Sequence, residues 1–132
     1  KIAHAIVLAR PIQTTFELVK VVETIYGHRG KTHPATRTFQ AFRIAVNKEL
    51  EQVSQTLQLL PDLLSDDGRV AIISFHSLED RLVKRFFAEE AKAGYEARLQ
   101  ILTKKPISGK TEQVFNPRAR SAMLRAAVKI KI

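Results

Sequence analysis

The stretch Arg69-Val-Ala-Ile-Ile-Ser-Phe-His-Ser-Leu-Glu-Asp-Arg81 decides how this chain folds. Val70 to Ile73 are four apolar residues in a row, without the alternation of a half-wet strand. They predict a strand over Arg69–Phe75 buried between helix layers, and hence a parallel sheet. Ser77 then opens a helix, with Asp80 spaced to complete its cap and Leu78, Leu82 and Phe86 on one face. That helix is expected to end near Gly94. In open α/β sheets, ligands bind where a strand's carboxyl end passes into a helix. Ser74, His76, Ser77, Glu79 and Asp80 stand at that junction.

Upstream, Asp66-Asp67-Gly68 is a turn. Before it, Phe39, Phe42, Val46, Leu50, Val53, Leu57 and Leu60 step by three or four, an apolar stripe predicting one helix of about six turns. Pro34 suits that helix's first turn, and Pro61 should kink or restart it. An earlier helix, Phe16–Ile25, carries capping-box spacing at Thr14 and Glu17 and a stop at Gly27. His28–His33 reads as a basic connector. Downstream, Leu99–Thr103 is a short strand and Asn116-Pro117 a cap with a first turn. From Leu124 the residues alternate, with Ala126, Val128, Ile130 and Ile132 on the apolar face. Arg125, Lys129 and Lys131 fall on a wet face suited to a sheet edge.

The 132 residues suit one domain, and 45% hydrophobic content is enough for a core. No apolar run is long enough for a membrane span, no secretory leader is expected, and a cytoplasmic setting fits. With no cysteine, disulfide scaffolds, thiolate zinc sites and cysteine nucleophiles are excluded. The formal charge is +9, and nearly all of it lies late: residues 98–132 hold nine basic side chains and one acid, Glu112. Such a block attracts polyanions, phosphate backbones above all, although a solvated tail reads the same way.

Three polar clusters could carry chemistry. Thr36, Gln40, Arg43 and Asn47 share one helix face, where amides, a hydroxyl and an arginine suit a ligand or RNA; Arg37 lies beside them. An ordinary wet face is the alternative. The Ser74–Arg81 loop is the second cluster. There, a cap made by Ser77 and Asp80 with an Arg81 ion pair competes with a binding role. A metal held by His76, Asp80 and His33 lacks a supporting ligand set, and a Ser77 nucleophile lacks its G-x-S-x-G elbow. In the third, Asn116–Arg125, the residues Arg118, Arg120 and Arg125 could grip phosphates or pair with the acidic helix after residue 79. Isolated glycines offer no phosphate-cradling loop.

Together His33–Gln40 with Arg43 and Asn47, Ser74–Arg81, Thr103-Lys-Lys-Pro106 and Asn116-Pro-Arg-Ala-Arg-Ser-Ala122 with Leu124-Arg125 resemble the MraW/RsmH family. These are S-adenosylmethionine-dependent methyltransferases acting on cytosine N4 of small-subunit (16S) rRNA. The resemblance implies an α/β fold: the C-terminal half of a doubly wound class I methyltransferase sheet, preceded by part of a helical insertion. Residues 1–32 would end the insertion and residues 33–132 form the C-terminal part of the catalytic domain. The family's Gly-rich cofactor loop has no counterpart here, so the chain reads as a fragment that is inactive alone.

Within that frame Glu79 and Asp80 are candidate acceptors for the cytosine amine, and Ser74, His76, Ser77 and Asn47 candidate pocket residues. Arg37, Arg43, Arg118, Arg120 and Arg125 are candidate RNA-phosphate ligands. The implied cofactor is S-adenosylmethionine and no metal is required. The implied partners are small-subunit rRNA or the ribosomal subunit, and a second copy or a complementing chain segment. A non-catalytic RNA-binding or ribosome-associated module is the rival expectation.

Overall fold

A computed structural model describes residues 1–27, 33–92, 94–110 and 115–130, which divide into two compact units, 1–49 and 50–132. The division falls within the helical stretch and not in the connector expected at 28–33, of which only His33 lies among the described residues.

The first unit holds helices α1 (Ile2–Leu8), α2 (Thr15–Tyr26) and α3 (Thr36–Asn47). The capping box of α2 forms as its sequence requires. Thr14 Oγ1 accepts from the Glu17 N–H at 3.2 Å, and Glu17 Oε2 accepts from Gln13 N–H at 2.7 Å and Thr14 N–H at 3.3 Å. Those bonds, the one from Gln13 foremost, hold the Glu17 carboxyl below its ordinary pKa. Gly27 ends α2 at φ 62°, a left-handed conformation cheap only for glycine. Leu18 and Val22 are buried. Ile6, Arg10, Pro11, Ile12, Leu18 and Phe42 line an open, largely apolar cleft of about 650 Å³.

The single long helix expected from the apolar stripe is two helices. Lys48 adopts φ 53°, breaking the stripe between α3 and α4 (Glu49–Leu63). The polar groups at the junction explain the break: Arg43 Nε and Nη2 reach Glu49 at 2.8 and 3.1 Å, and Asn47 Nδ2 donates to Glu49 Oε1 at 3.3 Å. A 3.6-residue period can continue through such a break, so periodicity alone did not reveal it. Pro34 precedes α3 rather than entering its first turn, and Pro61 sits buried within α4, which runs on to Leu63.

The second unit joins α4 to strand β1 (Arg69–Ser74), helix α5 (Ser77–Lys92) and strands β2 (Leu99–Ile101), β3 (Ile107–Ser108) and β4 (Met123–Lys129). Asp67, at φ 59°, and Gly68 make the turn into β1. The sheet order is β1-β4-β2, with β3 also paired to β4, and every pairing is antiparallel. Two expectations are corrected here. The sheet's pairings are not parallel, and β4 is its central strand rather than an edge. β1 and β2 both oppose β4, so they run parallel to each other, and α5 is the crossover between them.

Among the described residues of the second unit, the helices cover one face of the sheet. Leu57 from α4, Val83, Phe86 and Phe87 from α5, and Leu99 and Ala127 from the sheet form the core, flanked by Val70, Ile72, Leu82 and Ile101. The Phe86 and Phe87 rings sit 6.1 Å apart at 50°, within the range of favourable edge contacts. The helix's buried stripe thus runs through Val83 and Phe87, while Leu78, expected to pack, is exposed. On the opposite face of the sheet Ile73 is 56% and Ile107 59% exposed, flanking Leu124 in register. β1 is therefore not a strand buried between two layers.

Arg98 pins the start of β2 to the end of α5. Its Nε and Nη2 donate to Glu90 at 2.8 Å each, and that pairing raises the guanidinium pKa above its ordinary value.

Phe87→Ala should lower unfolding stability by about 3–5 kcal/mol, measured by urea denaturation of the second unit's core. Because the Glu17 pKa is depressed in the folded state, the stabilisation it gives α2 is complete above the unfolded carboxylate pKa. It is lost as pH falls through the lower folded value. Amide resonances of Gln13 and Thr14, followed by NMR, should titrate at that lower pH.

Candidate active site

The carboxyl ends of β1 and β2 and the start of β4 share one end of the sheet. Here β1 passes into α5 through Phe75 and His76, and Glu79 holds that passage. Its Oε2 accepts from Phe75 N–H at 2.9 Å and from His76 N–H at 3.2 Å. In return, the Glu79 N–H donates to His76 Nδ1 at 3.3 Å. This is a reciprocal cap made by histidine and glutamate, whereas the sequence reading gave the cap to Ser77 and Asp80. A carboxylate three residues into a helix reaches the preceding backbone amides, and the helix dipole favours it there.

An acceptor at Nδ1 leaves the proton of the neutral His76 ring on Nε2. Nε2 is buried and lacks a hydrogen bond of good geometry, although it faces Glu79 Oε1 at 3.3 Å. Ser74 is buried beside it at the strand's end, while Phe75 is 57% exposed and Ser77 is exposed. The junction therefore holds a buried imidazole against a carboxylate, next to an exposed aromatic. An exposed ring such as Phe75 can stack on a planar heterocycle.

Asp80 does different work. Its Oδ1 and Oδ2 accept from Arg125 Nε at 2.7 Å and Nη2 at 3.0 Å, a bidentate pair across 45 residues of sequence. Arg125 is only 7% exposed. The wet face expected for Arg125 and Lys129 is thus corrected. Arg125 faces α5 beside Ala127, and the Lys129 ammonium donates to the Leu64 carbonyl at 2.9 Å, just beyond the end of α4. The signal was present at Ala127, two positions on and on the same face, whose small side chain leaves room for a long one to lie along the sheet. With Nε and Nη2 on Asp80 and so little of its surface exposed, Arg125 is held within the fold rather than offered to an RNA phosphate.

The remaining expected residues lie apart in kind. Arg43 and Asn47 converge on Glu49 within the first unit, and Arg37 is exposed on α3. His33 Nε2 lies 3.3 Å from Glu23. Arg118 and Arg120 are exposed on a single 3₁₀ turn, Pro117–Ser121, which Asn116 caps by accepting from the Arg118 N–H at 3.1 Å. Neither has an ion-pair partner among the described residues. Among those residues no three His, Asp or Glu side chains converge as a ligand set for a metal. No helix is long and apolar enough to cross a membrane.

The model of the MraW methylase family matches residues 1–130. The chain belongs to that family. It is 46% identical over 154 residues to the ribosomal RNA small subunit methyltransferase H of Nitrosomonas europaea, covering 99% of this chain and 49% of that protein. The proteins of the same name from Solidesulfovibrio magneticus and Kosmotoga olearia are 49% and 50% identical. Each match covers 98% of this chain, and 46% and 44% of the relative respectively. The chain spans about half the length of the curated relatives it matches.

Removing one partner of the Asp80–Arg125 pair leaves a buried uncompensated charge, so Asp80→Asn should cost about 3–5 kcal/mol of stability. The double variant Asp80→Leu/Arg125→Met should recover most of that loss in a thermal-denaturation cycle. Additive single effects would show that the pair is not coupled.

Proposed function

We propose that this chain is the C-terminal part of an enzyme that transfers a methyl group from S-adenosylmethionine to N4 of a cytidine in small-subunit rRNA. The observation that carries the proposal is the His76–Glu79 junction: a capped loop that packs a buried imidazole against a carboxylate, at the carboxyl end of a strand, in a chain of the MraW methylase family. The uncovered sheet face and the second edge of β1, which has no strand partner among the described residues, support the finer fold reading. A doubly wound sheet carries helices on both faces, so further polypeptide would cover Ile73 and Ile107 and continue the sheet beyond β1.

Cytosine's exocyclic amine is a poor nucleophile because its lone pair is delocalised into the ring. S-adenosylmethionine, when bound, supplies an electrophilic methyl group. The contribution asked of this chain is alignment, which can lower a barrier by as much as about 7–11 kcal/mol. The exposed ring of Phe75 fits one wall of a site for a planar heterocycle, base or adenine, and His76, held against Glu79, sets where that ring stands. Ser74 and Ser77 flank that wall and are the pocket hydroxyls. Both oxygens of Asp80 are engaged by Arg125, and Glu79 Oε2 is engaged by two backbone amides. We therefore infer that Glu79 and Asp80 position the loop rather than accept the amine's protons directly. Arg37, Arg118 and Arg120 are exposed and suit RNA phosphates. Arg43 and Asn47 are tied to Glu49 at the end of the first unit.

Full-length protein given labelled methyl donor and small-subunit RNA should place label on cytosine N4. His76→Ala should lower turnover by about 10²-fold or more, the scale of a misplaced reacting group. Glu79→Gln should lower kcat more than it raises KM, because a displaced loop misaligns the bound base without removing an RNA contact. RNA binding without any methyl transfer by the wild type would favour the non-catalytic module instead.

A further inference from the structure

The edge of β4 opposite β1 is served by two separate strands with a protrusion between them. β2 pairs with Ala127–Lys129 and β3 with Met123–Leu124. Leu102 and Thr103 still reach Ala126, the Thr103 hydroxyl accepting from the Ala126 N–H at 2.9 Å. Ile107 rejoins the strand opposite Leu124. Residues Lys104, Lys105 and Pro106 have no place in the ladder opposite Arg125, so the chain bulges and carries both lysines out to solvent.

A second basic segment is fastened to the first. After β3, the Gly109 N–H donates to the Ala122 carbonyl at 2.8 Å. A Cβ on Gly109 would lie 2.3 Å from the Ala119 carbonyl oxygen and 3.0 Å from the Ala122 Cβ. Only glycine permits that approach, which sets the exposed Lys110 beside the turn bearing Arg118 and Arg120. None of Lys104, Lys105, Lys110, Arg118 and Arg120 has an acidic partner among the described residues, whereas Arg98, Arg125 and Lys129 are all engaged within the fold.

The register locates this group relative to the candidate active site. Met123 pairs with Ser74 on one side and with Ser108 on the other. Two strand spacings therefore separate Ser74 from Ser108, about 10 Å. Lys110 and the turn of Arg118 and Arg120 thus follow or precede the strands at the same sheet end as His76, and the Lys104–Lys105 bulge lies on the adjoining edge, opposite Arg125.

We propose that Lys104, Lys105, Lys110, Arg118 and Arg120 form one clamp for the phosphates of single-stranded RNA next to the base-binding junction. The inference rests on the RNA methyltransferase reading and adds to it the surface that grips the substrate's backbone. An enzyme that works on a base must draw it from the stack, so backbone contacts close to the pocket hold the flanking nucleotides while one base enters. Planar guanidiniums on a fixed turn and flexible ammoniums on a bulge suit such a strand without demanding a sequence.

The test uses full-length protein and a fluorescently labelled single-stranded RNA of about 20 nucleotides, with affinity measured across a salt series. Each phosphate contact in a single strand contributes about 0.7 to the slope of log affinity against log salt. The variant Lys104→Gln/Lys105→Gln/Lys110→Gln should therefore flatten the slope by about 2 and raise KM for RNA in the methylation assay. Gly109→Ala, which alters no charge, should also weaken RNA binding by prising the two segments apart. Lys84→Gln/Arg85→Gln, on the exposed face of α5, should leave the slope unchanged. A triple variant with wild-type slope and KM overturns the clamp while wild-type methylation stands. A wild type that methylates no RNA overturns the underlying reading instead.

Discussion

The guanidinium of Arg125 lies against the sheet, under α5, and two of its nitrogens are met by both oxygens of Asp80. Neither group tolerates that position without the other, since a lone charge in such a setting costs several kcal/mol. The pair fixes where the first turn of α5 stands relative to the central strand. That first turn contains Glu79, whose carboxylate gathers the Phe75 and His76 amides. The orientation of the His76 ring, and with it the junction's chemistry, follows from an ion pair between residues 45 positions apart.

The same arrangement explains the placement of positive charge. Although the last 35 residues are strongly basic, the cations among the described residues divide into two groups. Arg98, Arg125 and Lys129 are structural: one ties β2 to α5, one ties β4 to α5, and one meets a carbonyl just beyond the end of α4. Lys104, Lys105, Lys110, Arg118 and Arg120 remain in water, borne on a bulge and a turn that Gly109 brings together. Net charge alone overstates the surface available to a polyanion, because buried pairs neutralise part of it locally.

A sheet covered on one face suits a chain that spans about half of its relatives' length. α4 and α5 bury Val70, Ile72, Leu99 and Ala127, while Ile73 and Ile107 stay open on the other side. The run Val70–Ile73 is apolar on both faces, and the helices of the second unit meet it on one of them.

Much of this was legible in the residues themselves. The Thr14–Glu17 box, the Asp67-Gly68 turn, the β1–α5 junction and the Asn116 cap depend on neighbours within four positions, so local sequence carried them, as it did the motifs of the family. The antiparallel sheet, the central place of β4 and the burial of Arg125 depend on partners far along the chain, and the break at Lys48 on a left-handed residue that a helical period does not record. Periodicity records which residues share a face, but not what that face meets. A strand alternating Arg and Lys with apolar residues reads as a wet edge until the carboxylate that neutralises Arg125 is brought across from α5. That encounter is a property of three-dimensional packing, and only the tertiary structure decided it.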